Sequence, residues 1–408
     1  MEIINYNDKI NEIKMEDITF HGVESNSDDF IEIVWNLLYG CNYRCSYCYG
    51  QDTLSQKDFT DINILKSVVG KIFKLKKNKY IFTLLGGEVT YHPHFLELVK
   101  HIYSYDKNVS ILLVTNASKD IEYFKKMISY IGNNQFNISI SLHFEYAYIE
   151  HIKNLIKLFD KYPNISLEIR FMLHPEYKEK IKNYFEELIN LKKEYSFSLY
   201  LLQLREPPDF NNLDKRYDEE FISWIDNAQK IILDSNSYKS IKKNSIFPNG
   251  YYQTLNDTKI SIDDNIALRN NMKKFIGFYC CAGINVIHIQ KDGMYRSALC
   301  PQAKYIGNIY LENDINIYKL TNFIICNQSQ CGCETNNKLN KYRDINKAKE
   351  YVLNYRKKYS EVIIENLLNA VEELENKTNN NTKNIIDTLA WWIPFKKKRE
   401  EFRAKFKI

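Results

Sequence analysis

Three cysteines stand within eight residues, in the run Cys41-Asn-Tyr-Arg-Cys45-Ser-Tyr-Cys48. Six more follow much later, at Cys280, Cys281, Cys300, Cys326, Cys331 and Cys333. Thiolates at such spacings hold soft metals. A structural zinc ion normally takes four ligands, often as two C-x-x-C pairs, and the first trio has no fourth cysteine nearby. A [4Fe–4S] cube on three cysteines leaves one iron with an open position, where an amine and a carboxylate of a small molecule can chelate. The later six exceed the four that one cube needs, and zinc is the rival there. The cysteines therefore read as two sites in two regions.

Other residues could serve a ligand. Leu85-Gly86-Gly87-Glu88 ends an apolar run. Paired glycines let a backbone approach a ligand closely, and Glu88 offers charge-assisted acceptors to an ammonium. Asn116 and Ser141 sit at the ends of later runs, and Arg170 presents a planar fork suited to a carboxylate. His143 and Glu145 lie just beyond the fourth run and could face a substrate. His92 reads as a loop or capping residue instead of a metal ligand.

C-x-x-x-C-x-aromatic-C, with Tyr47 at the aromatic position, resembles the signature of the radical S-adenosylmethionine (SAM) superfamily. Residues 85–88 resemble its G-G-E motif. The continuation Val89-Thr90-Tyr91-His92-Pro93 resembles a fuller form, with Val89 where proline is usual. The resemblance covers about residues 30–335. It implies that Cys41, Cys45 and Cys48 hold a SAM-binding [4Fe–4S] cluster. It places SAM against Tyr47, Gly86, Gly87, Glu88, Asn116, Ser141 and Arg170. The implied chemistry is one-electron reduction of SAM to methionine and a 5′-deoxyadenosyl radical, which abstracts hydrogen from an unactivated carbon. A low-potential donor such as flavodoxin or ferredoxin would supply the electron.

The second cysteine region resembles the auxiliary-cluster extensions called SPASM and Twitch, in a shorter form. The resemblance implies an auxiliary [4Fe–4S] cluster drawn from Cys280, Cys300, Cys326, Cys331 and Cys333. Cys281 is the likeness's spare residue, since neighbouring side chains in an extended segment point opposite ways. A spare thiol is either inert and buried or a catalytic hydrogen-atom donor to a substrate radical.

These residues need a scaffold. Apolar runs at 30–38, 80–85, 109–115, 136–142, 165–173 and 197–203 alternate with amphipathic stretches at 61–75, 94–105, 119–130, 148–162 and 177–193. That alternation predicts βαβ crossovers and a parallel sheet, with sites at the carboxyl ends of strands. The family fold is a partial (β/α)6 TIM-like barrel, whereas a doubly wound sheet fits the same periodicity. No G-x-G-x-x-G follows the first strand, which argues against a dinucleotide fold. Asp292-Gly293 between alternating runs predicts a hairpin. The expected organisation is an N-terminal extension (1–29), the barrel (30–208, ended by Pro207-Pro208), a connecting segment with a helix at 219–233 (209–274), the auxiliary region (275–345) and a helical tail (346–408). Within the tail, 346–377 reads as a long amphipathic helix and 378–384 as a polar linker.

Composition bounds the rest. The 408 residues are 44% hydrophobic and 26% charged, with a net charge of +5. That balance gives a sizeable core and excludes a disordered or collagen-like chain. The N-terminus lacks a signal peptide, no run approaches a membrane span, and the expected location is cytoplasmic. The last 18 residues, from Trp391 to Ile408, hold seven basic and two acidic residues, hence the whole net charge. Phe395, Phe402 and Phe406 share a helical face there, a pattern suited to peripheral membrane contact or to packing on the body. No nucleic-acid partner is expected. About 30 residues precede the first strand, short for a leader-binding module. The expected substrate is a sugar or other small polar metabolite, with surface-glycan synthesis as a setting. A peptide or protein substrate and a non-catalytic metal-binding protein are the alternatives.

Overall fold

The computed structural model describes residues 3–23, 29–48, 50–105, 107–206, 213–235, 250–262, 266–267, 270–331, 339–377, 390 and 396–405. Two strands open the chain, β1 (Ile4–Asn5) and β2 (Ile18–Gly22). The βαβ series follows: β3 (Phe30–Leu38), α1 (Ile62–Phe73), β4 (Lys79–Gly86), α2 (Phe95–Tyr103), β5 (Val109–Thr115), α3 (Ile121–Ile131), β6 (Phe136–His143), α4 (Ile149–Phe159), β7 (Ile165–Leu173), α5 (Lys178–Leu191) and β8 (Ser198–Gln203). Local chemistry sets the helix starts. Asp61 accepts a hydrogen bond from the Asn63 amide, and Asp120 from Tyr123, each satisfying a free donor of the first turn. The helices bury one stripe each, such as Phe95, Leu98, Val99 and Ile102 on α2.

Strands β3 to β8 lie side by side in chain order, all parallel. A doubly wound sheet would reverse its order midway. An unreversed order with right-handed crossovers puts every helix on one face. The sheet is thus an open, partial (β/α)6 barrel. Its outer face is apolar: Ile31, Ile33, Trp35, Phe82, Leu84 and Phe171 join the helices in the main core. On β7 the burial alternates residue by residue, so Ser166, Glu168, Arg170 and Met172 face the concave side and are partly open.

The later chain adds short strands and helices to this scaffold. After α6 (Glu219–Ser235) come β9 (Tyr251–Thr254), β10 (Lys259–Ser261) and β11 (Tyr279–Cys280). The hairpin strands β12 (Val286–Ile289) and β13 (Met294–Arg296) meet at Gly293, whose φ of +85° only glycine adopts readily. β12 pairs in parallel with β3, so this hairpin, with β14 (Gly307–Asn308) beyond it, extends the barrel's own sheet to nine strands. The short helix α7 (Ile317–Leu320) leads to β15 (Ile324–Ile325), β16 (Lys341–Tyr342), the long α8 (Ile345–Lys377) and α9 (Lys396–Lys405). A second sheet runs β1-β10-β9-β2-β16-β11-β15, so the N-terminal strands meet strands of the second cysteine region in it. Neither join had a sequence signal, because strands of two to five residues carry too little periodicity.

Pro207-Pro208, the linker at 378–384 and the segment Trp391–Phe395 lie outside the described residues. Phe402 on α9 is buried, so at that position the aromatic face packs on protein. No helix among the described residues is long and apolar enough to cross a membrane.

Candidate functional site

The loop after β3 carries the first cysteine trio to the carboxyl end of the sheet. Its entry is fixed by Cys41 N–H donating to the Leu54 carbonyl at 3.0 Å, and its turn by Cys48 N–H to Cys45 O at 3.0 Å. Arg44 donates to the carbonyls of Cys41 and Tyr43 at 2.6 and 2.8 Å. The thiols are close enough to sense one another. Burial chiefly, then Glu145 and the other two thiols, pushes Cys45 up to about 12. Cys41 is raised by burial first, with Glu88 and Cys48 adding to it. Cys41 and Cys45, which resist ionising alone, are stabilised as thiolates by a cation beside them.

The neighbouring strand ends hold this loop. Ser46 N–H donates to both oxygens of Glu145, at 2.9 and 3.1 Å, and Ser46 Oγ bonds Glu145 Oε1 at 2.9 Å. His174 Nδ1 accepts from the Glu176 amide, which places its proton on Nε2, 3.0 Å from Ser46 Oγ. Tyr47 Oη lies 2.6 Å from His143 Nδ1, and Arg44 N–H donates to Tyr146 Oη at 3.1 Å. His143 and Glu145 thus both contact the cysteine loop. Ser46 and His174 had no sequence signal, since their partners lie about a hundred residues away.

Gly86 and Gly87 make close approaches within the chain. A Cβ on Gly87 would lie 2.1 Å from Gly40 O and 2.4 Å from Tyr39 O; one on Gly86 would lie 2.1 Å from Leu38 O. The close approach is to the end of β3, sealed by Gly87 N–H to Leu38 O at 2.8 Å and Glu88 N–H to Gly40 O at 2.9 Å. The pair docks β4 against the root of the cysteine loop. Glu88 is fully buried, and its carboxylate is engaged by protein. Oε1 accepts from Thr90 N (3.1 Å), Thr90 Oγ1 (2.6 Å) and Thr115 Oγ1 (2.7 Å), and Oε2 from Asn116 N (2.6 Å). Burial raises its pKa against these bonds. Glu88 therefore braces β4 against β5. His92 caps as expected: its Nδ1 accepts from the His94 amide at 3.2 Å.

Asn116 reaches back to the loop, with Nδ2 2.9 Å from Asn42 Oδ1 and 3.8 Å from Cys41 Sγ. Beside it Ala117 holds a positive φ of +55°, uncommon for a residue with a Cβ. Asn116, Ala117, Ser141, His143, Tyr43 and Tyr146 share the wall of a cavity of about 460 Å³. Tyr43 and Tyr146 stack there at 4.4 Å. Arg170, across the sheet from Ser141, is paired with Glu168, which also accepts from Ser139 Oγ at 3.0 Å.

Residues 35–188 match the family model described as the Radical SAM superfamily. This chain carries a radical SAM domain. Among characterised proteins it is 31% identical over 120 residues to a GTP 3′,8-cyclase of Microcystis aeruginosa, covering 28% of this chain and 35% of that one. An S-adenosylmethionine-dependent nucleotide dehydratase of Fibrobacter sp. is 25% identical over 111 residues, covering 25% and 32%. The chain thus aligns with about a third of the length of these relatives. A solved structure of Streptococcus suis SuiB bound to S-adenosylmethionine has a TM-score of 0.44 and 14% identity, covering 69% of this chain and 64% of that one.

The radical SAM domain's cofactors are a [4Fe–4S] cluster and SAM, and the residues present fit them. Among the described residues no three His, Cys, Asp or Glu side chains converge as one ion would require. A cube asks for something different, because each thiolate binds its own iron at a separate corner. Three adjacent thiols on a braced loop, beside a polar cavity with stacked aromatic rings, meet that demand.

The second cysteine region is divided. Cys280 and Cys300 pack on one small apolar cluster with Ala282, Val286 and Leu339. Cys326 and Cys331 pack on another, around Phe275 and Phe278. Burial chiefly raises the pKa of Cys326; Cys300 raises it further, while the buried Lys341 lowers it. Cys333 lies outside the described residues. Cys281 points away from Cys280's cluster and is sealed among Ile284, Ala348 and Val352, its pKa raised by burial. Cys281 is fully buried there, the inert alternative for a spare thiol.

Proposed function

We propose that this protein is a radical SAM enzyme acting on a sugar or other small polar metabolite. The carrying observation is the convergence of the Cys41–Cys48 loop, the Gly86–Glu88 brace and Asn116 on one edge of the concave face. The bound cluster would supply the electron that cleaves SAM into methionine and a hydrogen-abstracting 5′-deoxyadenosyl group. The protein's own residues do the rest. Cys41, Cys45 and Cys48 hold three irons, and the Glu145–Ser46–His174 contacts fix the loop's orientation. The Tyr43–Tyr146 cavity, lined by Asn116 and Ser141, takes the nucleoside part of SAM. Burial of the neighbouring strand ends excludes water from a reactive intermediate.

The polar concave face supports a small polar substrate. Two relatives of the matching segment, a GTP cyclase and a nucleotide dehydratase, act on nucleotides, which belong to that class. We assign Cys280, Cys300, Cys326 and Cys331 as candidate ligands of an auxiliary cluster, supported by the influence of Cys300 and of the Lys341 ammonium on the Cys326 thiol. A buried ammonium is costly unless anions surround it, as thiolates would. Anaerobically reconstituted enzyme with dithionite should convert SAM to 5′-deoxyadenosine. Iron that loads without any SAM cleavage, with or without candidate metabolites, would defeat the proposal. Iron near four per chain with bound zinc would defeat the auxiliary assignment alone.

A further inference from the structure

The concave face beside the cysteine loop carries a polar constellation that the SAM reading does not use. Ile287 and Ile289 of β12 and Tyr295 of β13 point into the helix-side core. Alternation therefore turns His288 and Arg296 to the concave side, where they are cross-strand partners. β12 runs parallel to β3, with His288 level with Val34, so Asn36 and Tyr39 flank it at the approach to Cys41. Arg296 Nε–H donates to His288 Nδ1 at 3.1 Å. His288 Nε2 lies 3.1 Å from Asn36 Nδ2. The Asn36 amide meets Gln290 Oε1 at 3.0 Å, and Tyr39 Oη donates to the same oxygen at 2.7 Å. Burial first, and Arg296 second, lower the His288 pKa to about 4, so the ring stays a neutral acceptor.

The network orients the guanidinium without neutralising it. Beyond His288, Arg296 makes a long 3.4 Å contact from Nη1 to the Cys300 carbonyl and lies 5.3 Å over the Tyr305 ring. Among the described residues none of these contacts is a carboxylate. Acids of the same concave surface are engaged elsewhere: Glu168 by Arg170 and Ser139, and Glu32 by Thr83 Oγ1 at 2.7 Å. A half-buried arginine held by neutral partners, with its outer edge unpaired by any acid, is a preorganised fork for an oxyanion.

We propose that Arg296, oriented by His288, Asn36 and Gln290, binds an oxyanion of the substrate, a phosphate or a carboxylate. The subsite lies between the two cysteine regions, adjoining the Cys41 loop through Asn36 and Tyr39 and the second region through the Cys300 carbonyl. It narrows the small polar metabolite proposed above to an anionic one, and it rests on that reading.

The test is calorimetric titration of inorganic phosphate and, separately, malonate into reconstituted enzyme holding SAM. At least one anion should bind, and R296Q should weaken it roughly tenfold or more while SAM affinity stays within about twofold. Preference for phosphate identifies a phosphorylated substrate, and preference for malonate a carboxylate. R296K keeps the charge but loses the fork, and should weaken binding roughly threefold. It carries the test if R296Q does not fold. Neither anion binding the wild type, or equal affinity in the variants, overturns the subsite. Dithionite-driven SAM cleavage by the wild type is scored separately, so failure of the radical reading and failure of the anion site are told apart.

Discussion

Glu145 offers the sharpest test of how the fold positions the cysteine loop. Its carboxylate accepts the Ser46 amide on both oxygens and the Ser46 hydroxyl on one, all within 3.1 Å. Its side chain is 13% exposed and that of the adjoining His174 only 1%, so water replaces these bonds poorly. Hydrogen bonds to an ionised acceptor contribute about 1.5–3 kcal/mol each. E145A removes two such donors' partner and leaves the Ser46 and His174 groups short of it. Allowing for partial solvent access, the loop should lose about 2–3 kcal/mol of its closed-state preference, or roughly 30–160-fold in population.

Iron leaves when the loop opens, so the assay is the rate of cluster bleaching in anaerobic holoenzyme with excess chelator. E145A should bleach about 30-fold faster or more, and E145Q, which keeps one carbonyl acceptor, should fall between. Thermal melting of the apo forms controls for global damage. If E145A bleaches at the wild-type rate while folded, Glu145 does not position the loop and the reading of the strand-end contacts is wrong.

Other perturbations follow from the same geometry. G87A forces a Cβ to within 2.1 Å of the Gly40 carbonyl and should cost about 2–3 kcal/mol and lower iron loading. G132A meets no atom within 4 Å, so it should cost only the positive-φ strain, about 1 kcal/mol, and load iron normally; equal loading by both variants contradicts the docking role of Gly87. C281A empties a thiol from an apolar pocket and should cost about 1 kcal/mol with iron per chain unchanged; loss of iron would make Cys281 a ligand after all. His92 and His288 are both lowered to about 4, chiefly by burial, so folding favours their neutral forms. Their contribution is complete above the unfolded value near 6.5 and is lost as pH falls toward 4, on the order of 3 kcal/mol per ring. Urea midpoints of the apo protein at pH 7 and 4.5 measure this; an unchanged midpoint refutes it.

The barrel was legible in the sequence because each unit is long and strongly patterned. β3, β5 and β7 have the expected bounds, and the helices differ by one to three residues at their ends. The cysteine trio was legible because its members are neighbours in the chain. The roles of Gly86, Gly87 and Glu88 were not. Their residue types suit a ligand and suit a tight internal joint equally well, and the joint depends on the placement of Leu38, Gly40 and Thr115, which lie far away in the chain or on another strand. His143 and Glu145 illustrate the same limit: a polar residue past a strand end says nothing about which loop folds over it.

The two sheets explain why the second cysteine region stands where it does. β12 bonds directly to β3, the strand that ends at the first cysteine loop, and the hairpin's next residues lead to Cys300. β11, carrying Cys280, is instead held by β16 and β15 in the second sheet, whose β2 precedes β3 in the chain. Three of the later cysteines thus come from the two sides of one turn: Cys280 and Cys281 before the hairpin, Cys300 after it. Any shift of the hairpin along β3 would move Arg296, His288 and Cys300 together relative to Cys41. A one-residue slip in that register would turn His288 and Arg296 into the apolar helix face, at the cost of burying a charge. Register along β12 and β3 is therefore fixed by the residues that line the concave face, and the substrate subsite and the spacing of the two cysteine regions are set by one strand pairing.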